Sequence, residues 1–304
     1  MHRHWSRWAR RSAIECYRVY DRDVPQFPLV VDRYGEHAHL QEIDTGWQAT
    51  DAEHARWAAA VRSVVAEVLE LPVAAVHYKR RERQRGASQY QRLAVGTSDL
   101  VVSEGGLRFI VDLDARLDTG LFLDHRKTRA WVRERSAGRR VLNLFAYTGA
   151  FTVYAASGGA SATTSVDLSN TYLDWAARNL ALNHLERPSN SLVRADVLEW
   201  LDEASRVRRV FDLIVLDPPS FSNSARMEET LDIQRDHTRL ISGAATLLAE
   251  GGELIFSTNR RGFRLDPEIQ DAYACELLTH ATVPEDFHRH LPHACWRISA
   301  KSAS

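Results

Sequence analysis

Val141-Leu142-Asn143-Leu144-Phe145-Ala146-Tyr147-Thr148-Gly149-Ala150 reads as a strand, a tight turn and the start of a helix. Its bulky apolar half suits a strand buried on both faces, and its second half supplies polar groups and one residue without a side chain. Gly149 at that turn would let a ligand approach the backbone N–H groups that open the helix. Eighteen residues on, Asp167 ends a second strand-like run, Ala162 to Val166. An acid at the tip of the second strand of a βαβ unit accepts the two hydroxyls of a ribose. Ser191 to Ala195 then ends at Asp196, and Phe211 to Leu216 ends at Asp217-Pro218-Pro219. Ligands of an open parallel sheet bind beyond the carboxyl ends of its strands, so these tips should line one crevice. Each piece also has a plainer reading, since such turns pack helices on sheets and strand-end aspartates such as Asp196 cap helices. Their joint spacing matches nucleoside binding followed by group transfer.

The chain has 304 residues, room for an α/β domain of roughly 200 residues and a smaller companion. Lys and Arg total 39 against 40 Asp and Glu, so any affinity for nucleic acid must come from local clusters of charge. No apolar run is long enough to span a membrane and no signal-peptide core is present, which implies a soluble protein that is not exported. Three scattered cysteines, Cys16, Cys275 and Cys295, fit a reduced, cytoplasmic compartment.

Ahead of the sheet, residues 1–117 read as a small α+β domain, with 118–304 as the larger one. Trp5 and Trp8 alternate with Arg3, Arg7, Arg10 and Arg11, as in an RNA-facing helix or a terminal helix that packs its tryptophans. Leu29 to Ile43 reads as a hairpin, Asp51 as the cap of a helix to about Leu71, and Val73 to Tyr78 as a strand. That strand enters a basic run in which Lys79, Arg80, Arg81, Arg83 and Arg85 surround one acid, with Tyr90 and three glutamines nearby. Cations interleaved with amides and an aromatic suit RNA phosphates and unstacked bases, although a solvated charge run has the same composition. Leu100 to Val102 and Leu107 to Leu113 form a second hairpin, and a helix is expected from about Asp118 to Ser136. Downstream, a helix is expected over 227–250, a strand over 253–257, the basic tip Asn259-Arg260-Arg261, a helix over 267–280, and strands near 277–283 and 294–299. His288, His290, His293 and Cys295 match no structural zinc spacing, so no metal is expected.

The stretches VLNLFAYTGAFTVYAASGGASATTSVDLSNTYLDWAARNLALN, LDPPSFSNSARMEETLDIQRDH and STNRRGFRLD resemble the class I S-adenosylmethionine-dependent rRNA methyltransferases. They are most similar to the C-terminal, guanine-N7 half of the bifunctional bacterial RlmKL family. The likeness extends back through DTGLFLDHR, RERQRGASQYQRL, DRYGEH and IECYRVYD. It implies a Rossmann-like seven-stranded sheet with an antiparallel terminal strand, S-adenosylmethionine (SAM) as cofactor, and 23S rRNA as partner. The bifunctional enzymes also carry an N-terminal RNA-binding module and a second methyltransferase, so a separate protein supplying that half is an expected partner.

On this resemblance Asp167 meets the ribose, Asp196 the adenine edge, and Tyr147, Thr148 and Gly149 the methionine part, with Asn143 and Leu168 also binding the cofactor. Asp124 and Arg126 would hold its ammonium and carboxylate. Asp217, which also borders the cofactor, forms with Pro218 and Pro219 a rigid strand end facing the base, with Phe221 stacked on an extruded guanine. Lys79, Arg80, Arg81, Arg83, Arg85, Tyr90, Arg260 and Arg261 would contact RNA, with Asn223 and Arg235 as weaker candidates. Guanine N7 carries a free lone pair, so no general base is required. Methylation of cytosine C5 needs a cysteine thiolate, and none adjoins Asp217 in the sequence. Methylation of guanine N2 stays open on the residues alone, as does an RNA-binding assembly factor without catalysis, against which the retained Asp167, Asp196 and Asp217 count.

Overall fold

A computed structural model describes residues 2–81, 99–116, 118–222, 231–287 and 289–301. Two compact units result, Met1–Leu123 with Glu285–Arg289, and Asp124–Pro284 with His290–Ser304.

The first unit contains α1 (His2–Arg11), β1 (Cys16–Asp21), β2 (Leu29–Tyr34), β3 (His37–Ile43), α2 (Asp51–Leu69), β4 (Val76–Arg81), β5 (Leu100–Glu104) and β6 (Leu107–Val111). Strands β1 to β4 form one sheet in chain order, antiparallel except for the β3–β4 pair that α2 connects. Helix α2 starts one residue before expectation, because Thr50 and Glu53 form a reciprocal capping box. Glu70 in a left-handed conformation and Pro72 end it. Trp5 is buried, and Trp5, Trp8 and Tyr17 meet edge to face, so α1 packs its tryptophans into the core of this unit. Of the two readings of that helix, packing accounts for both rings.

The second unit runs through α3 (Arg126–Glu134), β7 (Arg140–Leu144), α4 (Ala150–Ser157), β8 (Ala162–Asp167), α5 (Asn170–Leu182), β9 (Asn190–Arg194), α6 (Val197–Arg206) and β10 (Phe211–Leu216). Then follow β11 (Phe221–Ser222), β12 (Leu231–Asp232), α7 (Ile233–Ala245), β13 (Leu248–Thr258), α8 (Pro267–Ala272), β14 (Tyr273–Leu277), α9 (Thr279–Thr282) and β15 (Ala294–Ala300). The sheet order is β14-β15-β13-β10-β7-β8-β9, with β15 antiparallel to both neighbours and the β13-β10-β7-β8-β9 pairs parallel. This is the Rossmann-like sheet of a class I methyltransferase, seven-stranded as expected.

Strand β10 shows why the apolar runs carry no alternation of polarity. Its Ile214 and Leu216 face a core shared with α6 and α7, while Leu213 and Val215 face one shared with α3 and α4. Both faces are dry, so both positions of the pleat are apolar.

Three boundaries differ from the sequence reading. The helix expected over 227–250 is confined to Ile233–Ala245 within the described residues, because Leu231 and Asp232 pair with Ser222 and Phe221 and Asp232 caps α7. The helix expected over 118–136 begins only at Arg126, after a short 3-10 turn at Leu123–His125. The helix expected over 267–280 ends at Ala272, since Tyr273–Leu277 pair with β15, and 279–282 is helical where a strand was expected. Among the described residues no helix is long and apolar enough to cross a membrane.

Candidate active site

The turn after β7 is wound through left-handed backbone at Phe145 (φ 56°), Tyr147 (φ 50°) and Gly149 (φ 73°). For a residue with a side chain that conformation costs about 1–2 kcal/mol, and it persists where neighbours fix it. The Ala146 N–H donates to the Val166 carbonyl at 3.0 Å, and the Tyr147 N–H donates to Asp167 Oδ2 at 2.9 Å. Asn179 Nδ2 donates to the Thr148 carbonyl at 2.9 Å, and the Tyr147 ring stands edge-on to Tyr172 at 4.6 Å.

Asp167 accepts a second backbone bond, from the Ser169 N–H to Oδ1 at 2.9 Å. Each oxygen keeps lone-pair capacity for an incoming hydroxyl. Burial pushes this carboxyl above its ordinary range, and the backbone donors pull it back. A carboxylate fixed by two main-chain donors at the second strand tip fits a ribose, so the cofactor expectation meets a suitable donor set here. Leu168 follows it half-buried, its carbonyl accepting from Arg194 Nε at 3.4 Å.

Gly149 has a packing reason beside the expected one. A Cβ on it would lie 2.6 Å from Ala176 Cβ, so helix packing and its positive φ both favour glycine. Asn143 donates to Thr152 Oγ1 at 2.9 Å in a buried site, and Thr148 is fully buried. Asp196 caps α6, accepting from the Leu198 and Glu199 N–H groups at 2.9 and 3.2 Å on the same oxygen.

Around Asp217 the structure gathers Ser257 and His125, which the sequence did not nominate, together with Asp124 and His293. Ser257, at the end of β13, donates to Asp217 Oδ1 at 2.6 Å, and Ser220 binds Asn259, so two bonds tie the tip of β10 to that of β13. His125 Nε2 lies 3.5 Å from Asp217 Oδ2 and 3.9 Å from Asp124 Oδ2. His293 Nδ1 bonds Asp124 Oδ2 at 3.1 Å, and the two imidazoles stack at 4.2 Å with a 10° tilt. Asp124, His125 and His293 bring donor atoms within 4.8 Å of one another. Lone pairs of imidazole lie in the ring plane, so stacked rings direct them into parallel planes, which suits two rings that each turn an edge to the acids better than two ligands of one ion. His125 stood between the two residues singled out in Asp124-His125-Arg126; His293 is distant in the chain and carries no sequence signal for this role. Arg126 is buried at the start of α3.

The basic residues divide. Lys79 is buried and donates to the Arg116 carbonyl, with burial lowering its pKa, so it leaves the set of surface cations. Arg80 is exposed and 3.7 Å from Asp44, Arg260 bonds Asp232 at 2.7 Å, and Arg261 is exposed. Arg235 pairs with neighbouring Asp236 at 2.7 Å. Arg83, Arg85, Tyr90, Asn223 and His288, and the side chains of Arg81 and Phe221, lie outside the described residues. Pro218 is buried beside the half-buried Asp217 and Pro219.

Residues 70–292 match the family described as S-adenosylmethionine-dependent methyltransferase. The chain belongs to that family. It is 52% identical over 300 residues to the ribosomal RNA large subunit methyltransferase K of Neisseria meningitidis, covering 99% of this chain and 85% of that protein. It is 48% identical over 297 residues to the K/L methyltransferase of Methylococcus capsulatus, covering 96% of this chain but 40% of that longer protein. The crystal structure of the methyltransferase SMU.776 complexed with SAH superposes with a TM-score of 0.75 at 26% identity, covering 97% of this chain and 79% of that one. A methyltransferase from Agrobacterium tumefaciens shares the fold at 18% identity, with a TM-score of 0.64 over 90% of this chain and 88% of that one. The cofactor of this methyltransferase is therefore SAM.

Proposed function

We propose that this methyltransferase transfers the methyl group of SAM to N7 of a guanine in 23S rRNA, in the cytoplasm. The observation that carries the substrate class is the 52% identity, over nearly the whole chain, to a protein named for large-subunit ribosomal RNA. The N7 target rests on the RlmKL resemblance.

SAM supplies a methyl on a sulfonium. The chain's part is to hold the base within about 3 Å of it and in line with the breaking bond. Asp167 would bind the ribose, with Asp124 and Arg126 at the amino acid end. Asp217, fixed by Ser257, would face the base edge. Methylation at N7 leaves the guanine cationic, and the Asp217 carboxylate would stabilise that charge as it develops. Of the cations expected to meet RNA, Arg80 and Arg261 are described and exposed, and would contact phosphate.

Cytosine C5 methylation meets a specific obstacle. The fold does bring Cys295 into electrostatic range of Asp217, although the two are distant in sequence. That thiol is fully buried, and burial pushes its pKa up to about 12, so it is not the thiolate that the reaction needs. Guanine N2 is the nearer alternative, because Asp217 beside a neutral His125 offers a sink for the amine proton.

The test is transfer of labelled methyl from SAM to protein-free large-subunit rRNA from a strain lacking this enzyme, with nucleoside mass spectrometry. 7-Methylguanosine supports the assignment. N2-methylguanosine keeps cofactor and substrate class but moves the target, and no transfer despite cofactor binding overturns the rRNA reading.

A further inference from the structure

Asp217 is expected to meet the base, yet it is a side chain at the end of a strand, and something must fix both its direction and its charge. Ser257 holds Oδ1 at 2.6 Å. The other oxygen faces His125 Nε2 at 3.5 Å, a long contact of the kind that tightens when substrate binds. The His125 ring has little freedom. It stacks on His293, meets Phe151 edge to face at 5.6 Å, and is buried at the start of α3. Its Nδ1 lies 3.4 Å from the Thr128 hydroxyl, which can donate to it, and that assignment leaves the N–H on Nε2, toward the acids.

We propose that His125 is a positioning residue for methyl transfer, directing Asp217 at the target base through its Nε2–H while keeping that carboxylate's negative charge available to the base. The inference rests on reading Asp217 as the base-facing acceptor. His125 touches neither base nor cofactor in this scheme; it acts through Asp217.

The charge state of His125 decides whether this works. Transfer moves positive charge from sulfur onto the base, so a second cation beside Asp217 opposes it by cancelling the carboxylate's field. A neutral imidazole donates one N–H and leaves the carboxylate ionised. Burial holds His125 below the ordinary histidine range, Asp217 and Asp124 pull it up, and His293 and Arg129 push it down. These are the titratable and charged groups facing the ring, from the β10 tip, its own turn, the segment before β15, and α3. Below its pKa the ring gains a proton and the rate should fall.

The experiment measures kcat and KM for SAM and for the rRNA described above, from pH 5 to 9, in wild type, His125→Ala and His125→Asn. Wild type should show an acidic limb in kcat with its midpoint below about 6.5. His125→Ala should lower kcat roughly 10- to 100-fold, with both KM values within about threefold. His125→Asn, which keeps a donor but does not titrate, should recover most of kcat and lose the limb. A normally folded alanine variant with wild-type kcat overturns the proposal, as does an asparagine variant that keeps the limb. If the alanine variant does not fold, the asparagine profile alone decides. Should wild type yield a nucleoside other than 7-methylguanosine, the target assignment fails, while the comparison of variants on that nucleoside still judges His125.

Discussion

Replacing Gly149 by alanine separates two reasons for a glycine at the first strand's turn. If it exists so that the cofactor can approach the backbone, Gly149→Ala should damage binding and spare stability. The geometry adds a packing cost, because the new Cβ would sit 2.6 Å from Ala176 Cβ and 3.2 Å from its Cα, in a fully buried part of α5. Left-handed backbone adds about 1 kcal/mol, and overpacking a tight helix contact adds about 2 kcal/mol. The loss should be about 3 kcal/mol, or roughly 10 °C in melting temperature for a unit of this size. Removing the opposing methyl tests the larger part directly. Ala176→Gly alone should cost about 1 kcal/mol in helix propensity, but in that background, where the 3.2 Å contact with the Cα remains, Gly149→Ala should cost little more than the backbone share of about 1 kcal/mol. The difference, a coupling of about 2 kcal/mol, is read by denaturation of the four proteins of the double-mutant cycle. Equal costs of Gly149→Ala in both backgrounds would refute the packing argument. Unchanged stability with weakened cofactor binding would restore the ligand-approach reading.

Asp217→Ala should reduce methyl transfer by more than about 100-fold while RNA binding, followed by filter retention, stays near wild type; equal loss of both would mean that Asp217 contributes to RNA affinity. Replacing Arg80, Arg81 and Arg83 together with glutamine should weaken RNA binding and reduce its salt slope by up to about three counterions, whereas Lys79→Met should leave the salt slope unchanged; a flattened slope for the lysine variant alone would contradict its burial. Asp167 gives a pH test: its folded pKa is raised by burial, so its contribution favours the folded state below the unfolded value of about 3.8 and is lost as pH rises through the folded pKa. The stability of wild type relative to Asp167→Asn, without cofactor, should therefore rise as pH falls through that window, and a difference curve that is flat in urea titrations would show that the carboxyl is not perturbed.

The parts of the fold that were legible in the sequence are those set by local pattern. Val141-Leu142-Asn143-Leu144 and Phe211 to Leu216 announce buried strands because both faces are covered, and the helix after Asp51 is found to within one residue, although its cap is Thr50 with Glu53. What failed was decided by distant pairing. Nothing within Tyr273–Leu277 distinguishes it from the helix before it until β15 lies alongside, with Tyr273 opposite Ala300. Tertiary context overrides propensity there, as strands at sheet edges often show.

The candidate site divides along the same line, which bears on how its parts should be tested. Strand tips are sequence features, so Asp167 and Asp217 could be named from spacing; the groups that govern them are contacts of the folded chain. His293 reaches Asp124 across 169 positions, and Ser257 reaches Asp217 across 40. Spacing also misjudged chemistry wherever a residue type serves two purposes. Lys79 belongs by charge to the basic run, yet strands alternate faces, and its register opposite Gln41 turns it from the core side on which Val76 and Tyr78 pack to the face where it meets the Arg116 carbonyl. Cys295 shows the converse: the sequence sets it far from Asp217, the fold brings it near, and only its burial makes it inert. Position along the chain nominated residues for the site, but side-chain environment decides which of them can carry charge, donate a proton or attack.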